Sequence, residues 1–158
     1  MAIRVLIADP NRSLLQTYGE FLSRNGFEVA TVADGLSCLA KLREWEPEIL
    51  VLELDMPWGG GAGVLDLMRD GFGLPQIPVV VLTSRWDEAT ADDALAYRLA
   101  DSFDFKPLAP EQLARIIRRQ IDDPPAPVEY WRGRMGRRNS PRDASVMLCG
   151  EREEGVAQ

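Results

Sequence analysis

The sequence predicts an α/β fold: one five-stranded parallel sheet with helices on both faces, followed by a C-terminal tail. Three observations predict it. Short apolar runs alternate five times with segments whose apolar residues recur at helical spacing. Two of the runs, Ile49-Leu50-Val51-Leu52 and Ile77 to Leu82, are apolar at nearly every position, as strands covered on both faces require. Polar and charged residues cluster just after the runs, at the carboxyl ends where a parallel sheet gathers ligands.

Taken in order, Ile3 to Ala8 is the first strand. Arg12 to Asn25 is a helix burying Leu14, Leu15, Tyr18, Phe21 and Leu22, and Asn25-Gly26 closes it because glycine supplies a left-handed turn. Phe27 to Val32 is the second strand, and Asp34-Gly35 opens a helix carrying Leu36, Leu39, Ala40 and Leu42. The third strand, Glu48 to Leu52, is followed by a helix from about Ala62 to Arg69. Ile77 to Leu82 is rich in β-branched residues, which suit a central strand. Asp87 to Leu99 reads as a helix, Ser102 to Phe105 as a short strand, and Glu111 to Ile121 as a last helix with Leu113, Ile117 and Ile121 inward. Alternation of this kind implies a parallel sheet with crossovers on both faces. Beyond it, Asp122-Asp123-Pro124-Pro125-Ala126-Pro127 stops the helix and begins a stiff linker. Residues 1–121 are therefore expected to form the domain. Residues 122–158, which lack sustained apolar periodicity, are expected to be a linker and a disordered Arg-rich tail.

With 46% hydrophobic residues in 158, the chain has enough for one domain with a core. No apolar run approaches a membrane span, and Met1-Ala2-Ile3-Arg4 leads into a strand rather than a signal peptide. Cys38 and Cys149 are far apart and suggest neither a disulfide framework nor a metal knuckle, so a reduced cytoplasmic protein is the expectation. The lack of histidine excludes histidine triads, histidine metal ligands and a histidine phosphorelay step within the chain. A net charge of −7 argues against broad nucleic-acid binding by the whole molecule.

Four strand ends bring chemistry to one edge: Asp9, Glu53 with Asp55, Thr83-Ser84, and Lys106-Pro107. Singly, such residues are ordinary helix caps, solvated groups or loop positions. Together and in this order they are specific. On these motifs residues 1–121 resemble the CheY-like receiver domain of bacterial response regulators. The resemblance implies the flavodoxin-like sheet order 2-1-3-4-5. It also implies phosphoryl transfer from a histidine kinase to an aspartate after the third strand. A magnesium ion and a lysine neutralise the phosphoryl oxygens, and a hydroxyl after the fourth strand closes on the product. By motif, Glu53 takes the phosphoacceptor position, Lys106 is the lysine, Thr83 the hydroxyl, and Phe103 the aromatic that reports the state. A cis Lys106-Pro107 bond is a further expectation carried over from the family.

Two departures alter that chemistry. The family ends its first strand with an acidic pair, whereas here Pro10 follows Asp9. Magnesium demands near-octahedral oxygen ligation, so Asp9 and Asp55 are left as metal candidates and no cofactor is expected beyond weakly held magnesium. Glutamate also carries its carboxylate farther than aspartate by ~1.5 Å, and a misplacement of about 1 Å costs about a hundredfold in rate. Ordinary phosphotransfer is not expected, nor any enzymatic activity of the chain's own. The longer side chain reaches instead toward Lys106 and Thr83, where a salt bridge would favour the active-like arrangement without phosphate. Such mimicry is partial, because a carboxylate has one charge where a phosphoryl group has roughly two. The other outcome is an inert receiver that keeps its fold as a docking surface.

The expected function is that of an atypical, stand-alone receiver acting by protein–protein contact in two-component signalling. The resemblance implies a histidine kinase or a downstream effector as partner, docked on the face of helix 87–99, strand 102–105 and helix 111–121. Arg115, Arg118 and Arg119 form a basic row on that last helix. No membrane partner is expected, and nucleic acid is not the expected partner. Two alternatives stay open. One is a phosphorylation-competent receiver using Glu53 or Asp55 with magnesium. The other is a nucleic-acid-binding regulator acting through Tyr130 to Arg138, where aromatics interleave with arginines, although no helix-turn-helix pattern follows residue 121. The run Trp58-Gly59-Gly60-Gly61-Ala62-Gly63 lacks the Gly-Lys-Ser/Thr ending of a phosphate-binding loop and reads as a mobile loop.

Overall fold

Side chains alternate across each strand, and this alternation places one apolar layer on each face of the sheet. The computed structural model describes residues 1–71, 73–84 and 99–123. Within them the chain runs β1 (Ile3–Ala8), α1 (Arg12–Arg24), β2 (Phe27–Val32), α2 (Gly35–Trp45), β3 (Ile49–Leu52), α3 (Gly60–Arg69), β4 (Val79–Thr83), β5 (Ser102–Phe105) and α4 (Pro110–Asp122). Most of the helix expected over 87–99 and all of 124–158 lie outside the described residues. The strands form one parallel sheet in the order β2-β1-β3-β4-β5, the order that the resemblance implied.

Leu6, Ala8, Leu50, Leu52, Val79 and Val81 face one layer with Cys38 and Leu42 of α2 and Val64, Leu65 and Met68 of α3. Val5, Ile7, Ile49, Val51, Val80 and Leu82 face the other, against Leu15, Tyr18 and Leu22 of α1 and Leu113 and Ile117 of α4. At about 25 cal/mol per Å² of apolar surface removed from water, these two layers are the main stabilising term. The central strands β3 and β4 are buried at every position, as their unbroken apolar runs require.

Helix starts are set locally. Asn11 accepts the Leu14 N–H (3.1 Å) at the start of α1, and Asp34 accepts the Ser37 N–H (2.7 Å) at the start of α2. Asn25 caps α1, and Gly26 follows at φ +88°, the left-handed turn its sequence suggested.

Several expectations are corrected. β4 begins at Val79 rather than Ile77, because Pro78 has no N–H for the ladder and supplies only its carbonyl, to Leu50. In α2 Cys38 and Leu42 are buried and Leu39 packs against the core, while Leu36 is exposed. The Cys38 thiol is pushed up to about 12 by burial and by Asp34, which marks a packing residue. α3 starts at Gly60, so most of the segment read as a mobile loop is the first turn of a helix. Arg118 lies on the exposed outer face of α4, where it donates to the Asn25 carbonyl (3.0 Å) and stacks 4.6 Å from the Phe27 ring centroid.

Candidate functional site

The register of β1 against β3, pairing Ala8 with Leu52, sets Asp9 and Glu53 side by side at the carboxyl edge. The Glu53 N–H donates to the Ala8 carbonyl (2.9 Å), and the Asp9 N–H to Val32 (3.0 Å). Both acids are buried, as is Thr83 at the end of β4. The Lys106 N–H donates to the Thr83 carbonyl (2.8 Å), and the Lys106-Pro107 peptide is cis. Four strand ends therefore converge on one small polar site.

The contacts inside it are specific. Lys106 Nζ donates to Asp9 Oδ2 (2.5 Å) and to Glu53 Oε2 (2.8 Å). Glu53 Oε1 accepts the N–H groups of Leu54 (2.7 Å) and Asp55 (3.1 Å), and the Thr83 hydroxyl also bonds this carboxylate. Asp9 Oδ1 accepts the Asn11 N–H (2.8 Å). Burial alone would push the Glu53 carboxyl up, yet the Lys106 ammonium, the Asp55 N–H and the Thr83 hydroxyl together hold it below the ordinary glutamate range. Burial would likewise lower Lys106, but hydrogen bonds and charge from Asp9 and Glu53 raise it above the ordinary lysine value. The result is an ammonium bridging two buried carboxylates, each with hydrogen bonds on its remaining oxygen.

The magnesium ion that the family implies does not fit this donor set. Pro10 offers no carboxylate, the Asp9 and Glu53 oxygens are engaged, and Lys106 occupies the space between them. The Asp55 side chain is exposed, at the rim rather than in the buried pair. Among the described residues no group of three or more Asp, Glu, Cys or His side chains is arranged to hold a metal ion.

Phe103 is half-buried against the layer of α2 and α3 and meets the exposed Phe105 edge to face, with ring centroids 5.7 Å apart. Two supporting features escaped the sequence reading. A Cβ at Gly61 would overlap the Glu53 carbonyl oxygen, so α3 packs directly on the strand end that carries the acid. The Tyr18 hydroxyl donates to the Leu108 carbonyl (2.6 Å), tying α1 to the turn that carries Lys106. The first is signalled only by one glycine among four in a short run. The second links residues 90 positions apart.

The family model of the response regulator receiver domain matches residues 5–118. The chain belongs to the response-regulator receiver-domain family. Similar curated proteins include the DNA-binding response regulator MtrA of Mycobacterium tuberculosis, 33% identical over 130 residues that span 80% of this chain and 55% of that protein. The transcriptional regulatory protein PrrA of the same organism is 33% identical over 116 residues, 73% of this chain and 47% of that protein. This receiver chain thus spans about half the length of the curated relatives it matches. Among solved structures, a CheY-like receiver from Methanospirillum hungatei has a TM-score of 0.69 at 21% identity, covering 78% of this chain and 96% of that one. The chemotaxis regulator CheY4 of Vibrio cholerae has a TM-score of 0.66 at 25% identity, covering 75% and 98%. The receiver fold and its place in two-component signalling are established on this ground. Among the described residues no helix is long and apolar enough to cross a membrane.

Proposed function

We propose that this receiver signals without phosphorylation, with the Glu53 carboxylate standing where a phosphoryl group would otherwise be held. One observation carries the reading: both groups that the resemblance assigns to the phosphoryl oxygens, Lys106 and Thr83, are bonded to Glu53. The acid is thereby drawn to the switch hydroxyl and the lysine at once, which favours one arrangement of β4 and β5 over others. Magnesium binds weakly at most and takes no part. Output is protein–protein contact through β5 and α4, with a kinase or effector of a two-component pathway as partner.

The test removes charge and keeps shape. A charge-assisted hydrogen bond contributes about 1.5–3 kcal/mol, so Glu53→Gln is expected to shift the active-like population on the order of tenfold or more. Methyl and aromatic NMR signals of Thr83 and Phe103 should move, and Lys106→Met should move them in the same direction. Signals that stay in place in both variants leave the inert docking surface as the better account.

A second reading is favoured by the relatives, two of whose names describe regulators that bind DNA or control transcription. In it the receiver belongs to a nucleic-acid-binding regulator, with Tyr130 to Arg138 as contact. Binding of the full chain to labelled oligonucleotides that weakens steeply with salt supports this reading.

A further inference from the structure

The turn between β5 and α4 carries Lys106, and it is held at two points, one on each side of a proline. On the near side the Lys106 N–H donates to the Thr83 carbonyl (2.8 Å). Pro107 has no N–H to give. On the far side the Leu108 carbonyl accepts the Tyr18 hydroxyl (2.6 Å), which comes from the middle of α1. Tyr18 is 5% exposed, and a buried phenol needs a partner. The carbonyl it uses belongs to the turn next to the site. Burial raises the phenol above its ordinary value, and the Lys106 ammonium and the Leu108 hydrogen bond partly offset that rise.

We propose that Tyr18 is a positioning residue whose hydroxyl fixes the Lys106–Leu108 turn and so keeps the Lys106 ammonium on Asp9 and Glu53. The inference rests on the reading of the Glu53–Lys106 contact as the built-in switch, and adds what maintains it. The ammonium sits at the end of a four-carbon stem with several rotatable bonds, so two short contacts at once require its backbone origin to be fixed. Thr83 fixes that origin from the sheet side and Tyr18 from the helix side. Losing one leaves the turn free to rotate about the other.

Tyr18→Phe keeps the ring in the core and removes only the hydroxyl. The readout is proton exchange of the Lys106 ammonium with water, followed by nitrogen-resolved NMR on the full chain. A net hydrogen bond contributes about 0.5–1.5 kcal/mol, so exchange is expected to rise about two- to tenfold. Leu15→Val, a buried change in the same helix that touches no polar group, is expected to leave exchange within about twofold at a comparable loss of stability. If Tyr18→Phe does not fold, fluorotyrosine at position 18 provides the opposite probe: a more acidic hydroxyl is a stronger donor and should slow exchange. Unchanged exchange in Tyr18→Phe or in the fluorotyrosine protein, or an equal rise in Leu15→Val, overturns the role of Tyr18 while leaving the switch reading intact. Fast ammonium exchange in the unaltered protein overturns the switch reading itself.

Discussion

Glu53 is held by Lys106 through one oxygen and by two backbone N–H groups through the other, so its charged form is favoured in the folded state. Its pKa there lies below the ordinary glutamate value. The unfolded chain therefore takes up the proton first as pH falls. The contribution is complete above the ordinary glutamate range and is lost as pH falls through the depressed value. Lys106 is shifted the other way, so its contribution is complete below the ordinary lysine value and is lost as pH rises through the raised one. At neutral pH both are in force. Glu53→Gln should thus cost about 1–3 kcal/mol near neutrality, and urea titrations should show that gap closing in acid. A gap that does not change with pH would mean that the carboxylate charge contributes nothing to folding. These residues were legible in the sequence because each directly follows a strand segment, and a parallel sheet brings such positions together. Arg69 was not. It is buried, donates to the Leu99 carbonyl (3.1 Å) and pairs with Asp101 (2.7 Å), and a charged residue at a helix end gives no sign that its partner lies 32 positions away.

The elements were legible wherever one period dominates. The strands of unbroken or alternating apolar residues and the 3.6-residue rows of α1 and α4 give their own positions, to within a residue or two at the ends. The start of α3 was not, because glycine reads as flexibility from composition alone. Here two glycines of one helix have opposite meanings. Gly61 has no room, since its N–H donates to the Leu54 carbonyl (3.0 Å) and a Cβ would meet the Glu53–Leu54 backbone. Gly63 has nothing within 4 Å of a Cβ. Gly61→Ala should destabilise by about 1–3 kcal/mol through forced backbone shifts and displace the end of β3. Gly63→Ala should stabilise by about 0.5–1 kcal/mol through lower chain entropy. Thermal melts of the two variants check the pair. Equal effects would mean that α3 does not approach β3 as described.

For the molecule as a whole, the receiver fold supplies the site, and the proposed function attributes its altered chemistry to two positions of the sequence. Pro10 takes away a carboxylate, and Glu53 fills its own pocket with a longer side chain that engages Lys106 and Thr83. Neither substitution alone is expected to be the whole cause. Glu53→Asp leaves the metal short of a ligand, and Pro10→Asp leaves an acceptor displaced by ~1.5 Å. Both single variants should stay nearly silent, and the double variant should gain more than the product of the two, as residues acting as a unit do. The most direct measurement is the intact mass of the chain after incubation with acetyl phosphate and magnesium, with the Pro10→Asp, Glu53→Asp double variant run beside it. No phosphoryl adduct is expected on the natural sequence, and a magnesium-dependent, base-labile adduct is expected on the double variant. A stoichiometric, magnesium-dependent adduct on Glu53 or Asp55 of the natural sequence would contradict the proposed function.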